Sequence, residues 1–413
     1  MANLRHIVGL ALGFGSLLGS ALPAEFSAFN TTVAFTSVHV DGATADIPTN
    51  CIATTYSAYK DVVAKCPTAV LKDIQVPVGG KILLTGLKAQ TVAFMGTIDF
   101  APSPGGRDPL DFLIEFSSSS DTRIVGLVGS VINGHGEDYW DGGGGNKGVK
   151  KPKTFRIGHV TNCLIEGITI LNAPVHTFSI IGSDTVTLSA IQVDTHLADK
   201  PCSQITRNIK RADVSGGLSC GHNSDAFGIS SSTNIMITNS VIDNQDDCLA
   251  VNSGSNILFV NNICSGGHGA SVGSIKDDHV VRGVLISNCI IRRSENGIRI
   301  KTYDTATKAS VTGVIYKDII LEDIEKFGIV IEQDYRNEGP TGKAGNGVPI
   351  TGLTLQNIHG SVGGQGQPIY INCGTNSCSD WNFQNIAITG GGIVKAKPSG
   401  CIQPPNGVAS FCK

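Results

Sequence analysis

Four short motifs near the middle of this 413-residue chain hold the side chains best suited to chemistry: Asn223-Ser224-Asp225, Gln245-Asp246-Asp247-Cys248, Gly266-Gly267-His268-Gly269 and Arg299-Ile300-Lys301. Their spacing ties them together. Asp225 and Asp247 are 22 residues apart, and so are Asp246 and His268. If each period is one turn of a stacked coil, residues one period apart stand directly above one another, about 4.8 Å apart in the stacking direction. Three carboxyls and an imidazole then share one face. Carboxylates this close cannot all ionise cheaply, so at least one keeps its proton near neutral pH. A protonated acid beside ionised ones can protonate a leaving oxygen while a neighbour activates water, the division of labour that glycosidic cleavage requires. Arg299 and Lys301 are two apart on a strand and face the same way. Two fixed cations beside three acids call for an anionic ligand, and a uronic acid offers a carboxylate that Arg can take bidentately.

The elements around these motifs must hold the spacing. Five runs share one pattern: Ile235-Met-Ile-Thr-Asn239, Ile257-Leu-Phe-Val-Asn261, Val284-Leu-Ile-Ser-Asn288, Val314-Ile-Tyr-Lys-Asp318 and Leu353-Thr-Leu-Gln-Asn357. Each ends in Asn or Asp, which tolerates a left-handed backbone and bonds its own turn. The steps between those terminators are 22, 27, 30 and 39 residues, so later turns carry insertions while the strands keep their pattern. That repetition predicts an all-β fold, a single-stranded right-handed parallel β-helix. A β-sandwich would need hairpin turns between alternating strands, and few Asn-Gly or Asp-Gly pairs are placed for them. Earlier strands are expected over Gln90–Met95, Phe112–Phe116, Arg123–Leu127, Cys163–Leu171, Phe178–Ile181 and Val186–Val193. One amphipathic helix over Ala53–Cys66 is expected to cap the amino-terminal end of the coil, which otherwise exposes an open cross-section.

Composition agrees. With 51 Gly, 3 Met and only 16% charged residues, the chain favours strands and tight turns over helices. Residues 1–21 have the form of a secretion signal: Arg5 and His6, an apolar run from Ile7 to Leu18, then small residues. That run is too short to span a membrane. Residues 22–413 are then expected to form one catalytic domain, secreted and extracellular. The twelve cysteines suit an oxidising compartment. Cys51 and Cys66, Cys202 and Cys220, Cys248 and Cys264, Cys373 and Cys378, and Cys401 and Cys412 are near enough in sequence to close short loops, although counting alone leaves connectivity open. Cys163 and Cys289 follow Asn at similar strand positions and are expected to be buried and unpaired. No Cys or His cluster has zinc spacing. Asn30-Thr31-Thr32 is a glycosylation sequon. A net charge of -3 gives no support to nucleic-acid binding, and a polyanion has to be held by local cations.

The four motifs resemble those of the glycoside hydrolase family of polygalacturonases, closest to the fungal type. The surroundings agree, including Cys264-Ser-Gly-Gly-His-Gly-Ala-Ser-Val-Gly and Ile329-Val-Ile-Glu-Gln-Asp-Tyr335. The resemblance runs from about Cys51 to Cys412. It implies a pectin-lyase-like solenoid and inverting hydrolysis of α-1,4-linked polygalacturonan (pectin), most simply endo-acting, without metal or other cofactor. Carried over position by position, it makes Asp246 the general acid, Asp225 and Asp247 the groups that hold and activate water, and His268 the residue that sets protonation of the acids. Arg299 and Lys301 grip substrate carboxylates, Tyr335 lines the cleft and Asn223 orders the site. The implied partner is polygalacturonate, bound by a monomer with no nucleic acid or membrane. If acid and base work by inversion, their oxygens should lie about 6.5–9.5 Å apart. Two rivals share the fold: an exo-acting polygalacturonase or rhamnogalacturonan hydrolase, and a pectin-binding homologue without activity. The retained acids and histidine argue against the second.

Two features depart from the family pattern or extend it. Ser224 stands where the family usually has Thr, keeping the hydroxyl. The segment His196 to Gly221, with Arg207, Lys210 and Arg211, looks longer than its family counterpart and is expected to form a loop near the cleft. Lys147, Lys150, Lys151, Lys153 and Arg156 lie in or just after a Gly-rich stretch and are candidates for a polyanion handle. The second Gly-His-Gly, at His135, has no acid pair one period before it and receives no catalytic role.

Overall fold

A computed structural model describes residues 47–104, 110–145, 147–208, 219–392 and 400–412. The expected signal segment, the Asn30 sequon, and Lys210 and Arg211 lie outside the described residues. Within them the chain winds as a right-handed parallel β-helix, its strands joined in one sheet of 21 strands and a second of 11. One coil shows the plan: Phe227–Ser230 in the smaller sheet, Ser232–Thr238 and Val241–Asp243 in the larger, then a return at Leu249–Val251. Phe227 pairs with Leu249, Ile235 with Ile257 and Val241 with Ile263, each one 22-residue period on. The period seen in the sequence is therefore one coil.

The five Asn/Asp terminators do what their chemistry predicts. Asn239, Asn261, Asn288, Asp318 and Asn357 have φ between 52° and 59°, and Asn385 continues the column at 51°. Their side chains link vertically, with Asn357 Nδ2 donating to Asp318 Oδ1 at 2.7 Å and Asn385 Nδ2 to Asn357 Oδ1 at 2.9 Å. Inside the coil, alternate strand residues pack on the coils above and below. Phe155, Phe178 and Phe227 stack with centroids 5.4 Å apart at each step, and Phe259 meets Phe227 edge-on at 6.3 Å. Such aromatic stacking adds to burial and holds the vertical register.

Several expectations need correction in detail. The capping helix spans only Tyr59–Lys65, burying Tyr59, Val62 and Val63. Its carbonyls at Val63 and Cys66 are capped by Gln90 Nε2. The expected strand Cys163–Leu171 is two, Thr161–Glu166 and Thr169–Leu171, because Gly167 turns the corner at φ 67°. The run Val186–Val193 breaks likewise at Ala190, φ 52°. All five expected disulfides are present, and Cys163 and Cys289 are buried thiols. Lys151 is not a surface handle. It is buried, and its ammonium is held by Asp141 Oδ1 and Gly144 O, both at 2.8 Å. His135 sits away from the four motifs, bonded to Asp99 at 2.8 Å and Glu137 at 3.2 Å.

Candidate active site

The 11-stranded sheet carries the site. Asp225, Asp246-Asp247 and His268 lie in the turns just before the successive strands Phe227–Ser230, Leu249–Val251 and Ala270–Ile275. Arg299 and Lys301 stand on the next strand, Asn296–Tyr303, and Tyr335 ends the one after, Phe327–Tyr335. Backbone pairing locks these turns to one another: Thr177 N donates to Asp225 O at 2.8 Å, Ala226 N to Asp247 O at 3.0 Å and His268 N to Asp246 O at 2.8 Å. All eight candidate residues converge as the spacing requires.

Asp246 is the hub. Its Oδ2 accepts from Asn223 Nδ2 at 3.2 Å, and its Oδ1 accepts from the Asp247 amide at 2.7 Å and faces His268 Nδ1 at 3.1 Å. Asn223 takes the left-handed conformation, φ 52°, and its Oδ1 accepts from Gly145 N at 2.9 Å. Asp247 accepts from Ser271 Oγ at 2.6 Å and pairs with Lys301 Nζ at 2.6 Å. Arg299 is held by Glu332, through Nε at 3.1 Å and Nη2 at 2.7 Å. Tyr335 covers both cations, its ring centroid 5.3 Å from Arg299 Cζ and 5.2 Å from Lys301 Nζ.

The cluster divides its protons unevenly. Burial, followed by the charges of Asp246 and Asp247, pushes Asp225 well above the ordinary carboxylate range. Burial also acts to raise Asp246, but the charge and hydrogen bond of His268, with Lys301 and the Asp247 amide, overcome it and hold Asp246 below that range. Burial alone would lower His268; Asp246 first and then Glu295 raise it to about 9. The free site thus keeps its carboxylic proton on Asp225, while Asp246 and His268 form an ion pair. Oxygens of Asp246 and Asp247 and a ring nitrogen of His268 all lie within 4.8 Å of one another. These three could converge on a metal, yet Lys301 and Ser271 already occupy Asp247 and His268 already serves Asp246. The Asp246–Asp247 approach is also shorter than the gap expected for an inverting pair, so that spacing lends inversion no support.

Sequence reasoning missed three contributors, Glu332, His176 and Ser271, and gave a fourth, Lys153, a different role. Glu332 is the resting partner of Arg299, so the protein itself supplies part of the anion expected from substrate alone. It lies in the quoted Ile329–Tyr335 stretch, and Lys301 pairs with it in register. His176 Nδ1 stands 3.8 Å from Asp225 Oδ1; burial, with Lys153 behind it, lowers it to about 4. Burial lowers Lys153 too, against the pull of the Asp225 charge. Ser271 completes Asp247. Of the expected loop, residues 196–208 and 219–221 are described: Asp199 Oδ1 accepts from Gln245 Nε2 at 2.8 Å, Cys220 N and Gly221 N donate to Ala198 O, and Arg207 donates to Cys202 O at 3.1 Å.

Comparison with known proteins places this arrangement. The family model described as glycosyl hydrolases family 28 matches residues 66–410. A polygalacturonase of Penicillium griseoroseum is 46% identical over 329 residues, 79% of this chain and 81% of that protein. An endo-polygalacturonase of Sclerotinia sclerotiorum is 43% identical over 332 residues, 79% of this chain and 80% of its own length. Among solved structures, endopolygalacturonase I from Stereum purpureum, complexed with two galacturonate, superposes with a TM-score of 0.70 at 31% identity, covering 83% of this chain and 95% of that one.

Proposed function

The chain belongs to the glycosyl hydrolases family 28, and from that membership together with the site geometry we propose that it hydrolyses α-1,4-galacturonosyl linkages inside polygalacturonan, acting outside the cell as a monomer. One observation carries the reading. Three carboxyls, an imidazole and two aromatic-covered cations are gathered in one cluster, a charge arrangement that suits a uronate. Five disulfides suit an oxidising compartment, and no helix among the described residues is long and apolar enough to cross a membrane.

Asp246 is the general acid, and Asp225 with Asp247 holds and activates the water. In the free site the proton rests on Asp225, so substrate binding has to favour protonation of Asp246. A uronate carboxylate entering beside Lys301 and Arg299 adds negative charge to the cluster, which raises the proton affinity of neighbouring carboxyls. It also competes with Asp247 and Glu332 for the two cations, so binding and proton redistribution are one event. His268 opposes premature protonation by keeping Asp246 paired.

A reducing-end assay on polygalacturonate combined with viscometry tests this. Rapid loss of viscosity with mixed oligomers is the expected result; galacturonate alone from the first time point would point to exo action, and no product at all would leave only a binding protein. Proton NMR of the newly formed anomer decides stereochemistry, with the β-anomer first if the reaction inverts.

A further inference from the structure

The outward side chains of the 11-stranded sheet form one unbroken row in register: Arg156, Ser179, Gly228, Ala250, Ser271, Arg299. Four small residues lie between two arginines. Five strand steps of about 4.8 Å separate the arginines, roughly 24 Å in all, and a pyranose ring is about as long as one step.

The two arginines differ in how well they are satisfied. Arg299 is forked onto Glu332 by two hydrogen bonds. Arg156 makes no hydrogen bond among the described residues: its closest carboxylate, Glu115, stands 3.7 Å away, and its buried Nε has no partner. The guanidinium is nevertheless held in place. It lies over the Phe112 ring, 5.3 Å from the centroid, and over Gly158, where a Cβ would come within 3.1 Å of Nε. A pre-positioned guanidinium with free donors, partly open to solvent, is built for a carboxylate it does not yet have. Lys153 lies against the same ring at 6.0 Å, and its charge is felt by Asp225.

We propose that Arg156 is the carboxylate-binding residue of a distal subsite, taking a uronate several rings from the scissile bond, with Glu115 as the competitor that a bound chain displaces. The proposal rests on the polygalacturonan reading above, and substrate length separates the two. Steady-state kinetics of wild type, Arg156→Gln and Glu115→Gln are compared on trigalacturonate, hexagalacturonate and polygalacturonate. For Arg156→Gln, loss of one charge-assisted bond predicts a KM about tenfold higher on hexamer and polymer, with unchanged kinetics on trimer and a shifted pattern of hexamer products. Glu115→Gln should lower KM on the hexamer only. Equal loss on trimer and hexamer, or no loss on either, overturns the subsite. A wild type that cleaves none of the three sinks the underlying reading instead. Circular dichroism confirms that each variant is folded.

Discussion

Replacing His268 with Gln tests the charge arrangement at its centre. In the native protein His268 Nδ1 is 3.1 Å from Asp246 and Nε2 is 3.8 Å from Glu295, and these acids outweigh burial to raise its pKa from 6.5 to about 9. The side chain is only 29% exposed, so solvent screens the pair weakly. At about 1.4 kcal/mol per pH unit, that rise corresponds to about 3 kcal/mol of stability. The sign follows from the direction: a base with a raised native pKa stabilises fully below its ordinary pKa near 6.5, and the contribution fades as pH climbs toward 9. Unfolding entropy scales with size, so a protein this large loses ~1.3 °C of Tm per kcal/mol. His268→Gln should therefore melt about 4 °C below wild type at pH 5 to 6, with the gap closing by pH 9.5. Calorimetry across that range is the assay. A gap of constant size, or none at acid pH, refutes the ion pair. The same variant should move the alkaline limb of the kcat/KM profile to higher pH, because Asp246, the general acid, then keeps its proton more readily.

Three further substitutions probe the remaining roles. Asp246→Asn should lower kcat by about a thousandfold or more, measured by reducing-end release, and should also lower Tm at pH 5 to 6 because it breaks the same ion pair with His268; near-native turnover would remove Asp246 as the acid. Asp225→Asn should also abolish turnover but stabilise the fold: a carboxyl with a raised native pKa destabilises as pH rises above its ordinary value near 4, so the variant's Tm advantage should be absent at acid pH and grow toward neutrality. Lys301→Met strands Asp247 as a buried charge and should cost about 3–5 kcal/mol in urea unfolding, more than any change at exposed Lys65.

The coil was legible because its constraints are local and repeated. A 22-residue step and a left-handed Asn at each corner are visible as letters, and both survive insertions because those fall between strands. Residues in the turns before the strands inherit that periodicity, which is why Asp225, Asp247 and His268 stood out. Glu332 and His176 did not, since each acts across coils from a strand or turn whose own pattern looks ordinary. The fate of the basic stretch after Trp140 was also out of reach: Lys151 is a buried strut, Lys153 a neighbour of Asp225 and Arg156 an unsatisfied guanidinium. Their letters are the same type of residue, and only the partner each meets tells them apart. Breaks at Gly167 and Ala190 were hidden because an apolar run continues through a corner when both flanking strands face the same core.

What holds the acids still is a layer one step behind them. Gln245 is buried, and its amide makes all four of its bonds: Nε2 donates to Thr195 O at 2.9 Å and Asp199 Oδ1 at 2.8 Å, and Oε1 accepts from Thr195 Oγ1 and Ser224 Oγ, both at 3.0 Å. Ser224 Oγ in turn accepts from the Gln245 backbone N–H at 2.8 Å. The turn bearing Asp225 and the turn bearing Asp246 are thus tied through a Ser hydroxyl and a Gln amide, and the hydroxyl, not the methyl that Thr would add, is what the tie uses. Asn244 closes the layer from below, donating to Ser224 O, Asp246 O and Asp247 O. The same Gln245 side chain reaches Thr195 and Asp199 after Asp194, so that start of the long segment is fastened to the residue just before the Asp246-Asp247 pair. Removing a bond from such a fully satisfied buried amide leaves a polar group unpaired, and any loosening would be felt first where three carboxyls are held close enough to share one proton.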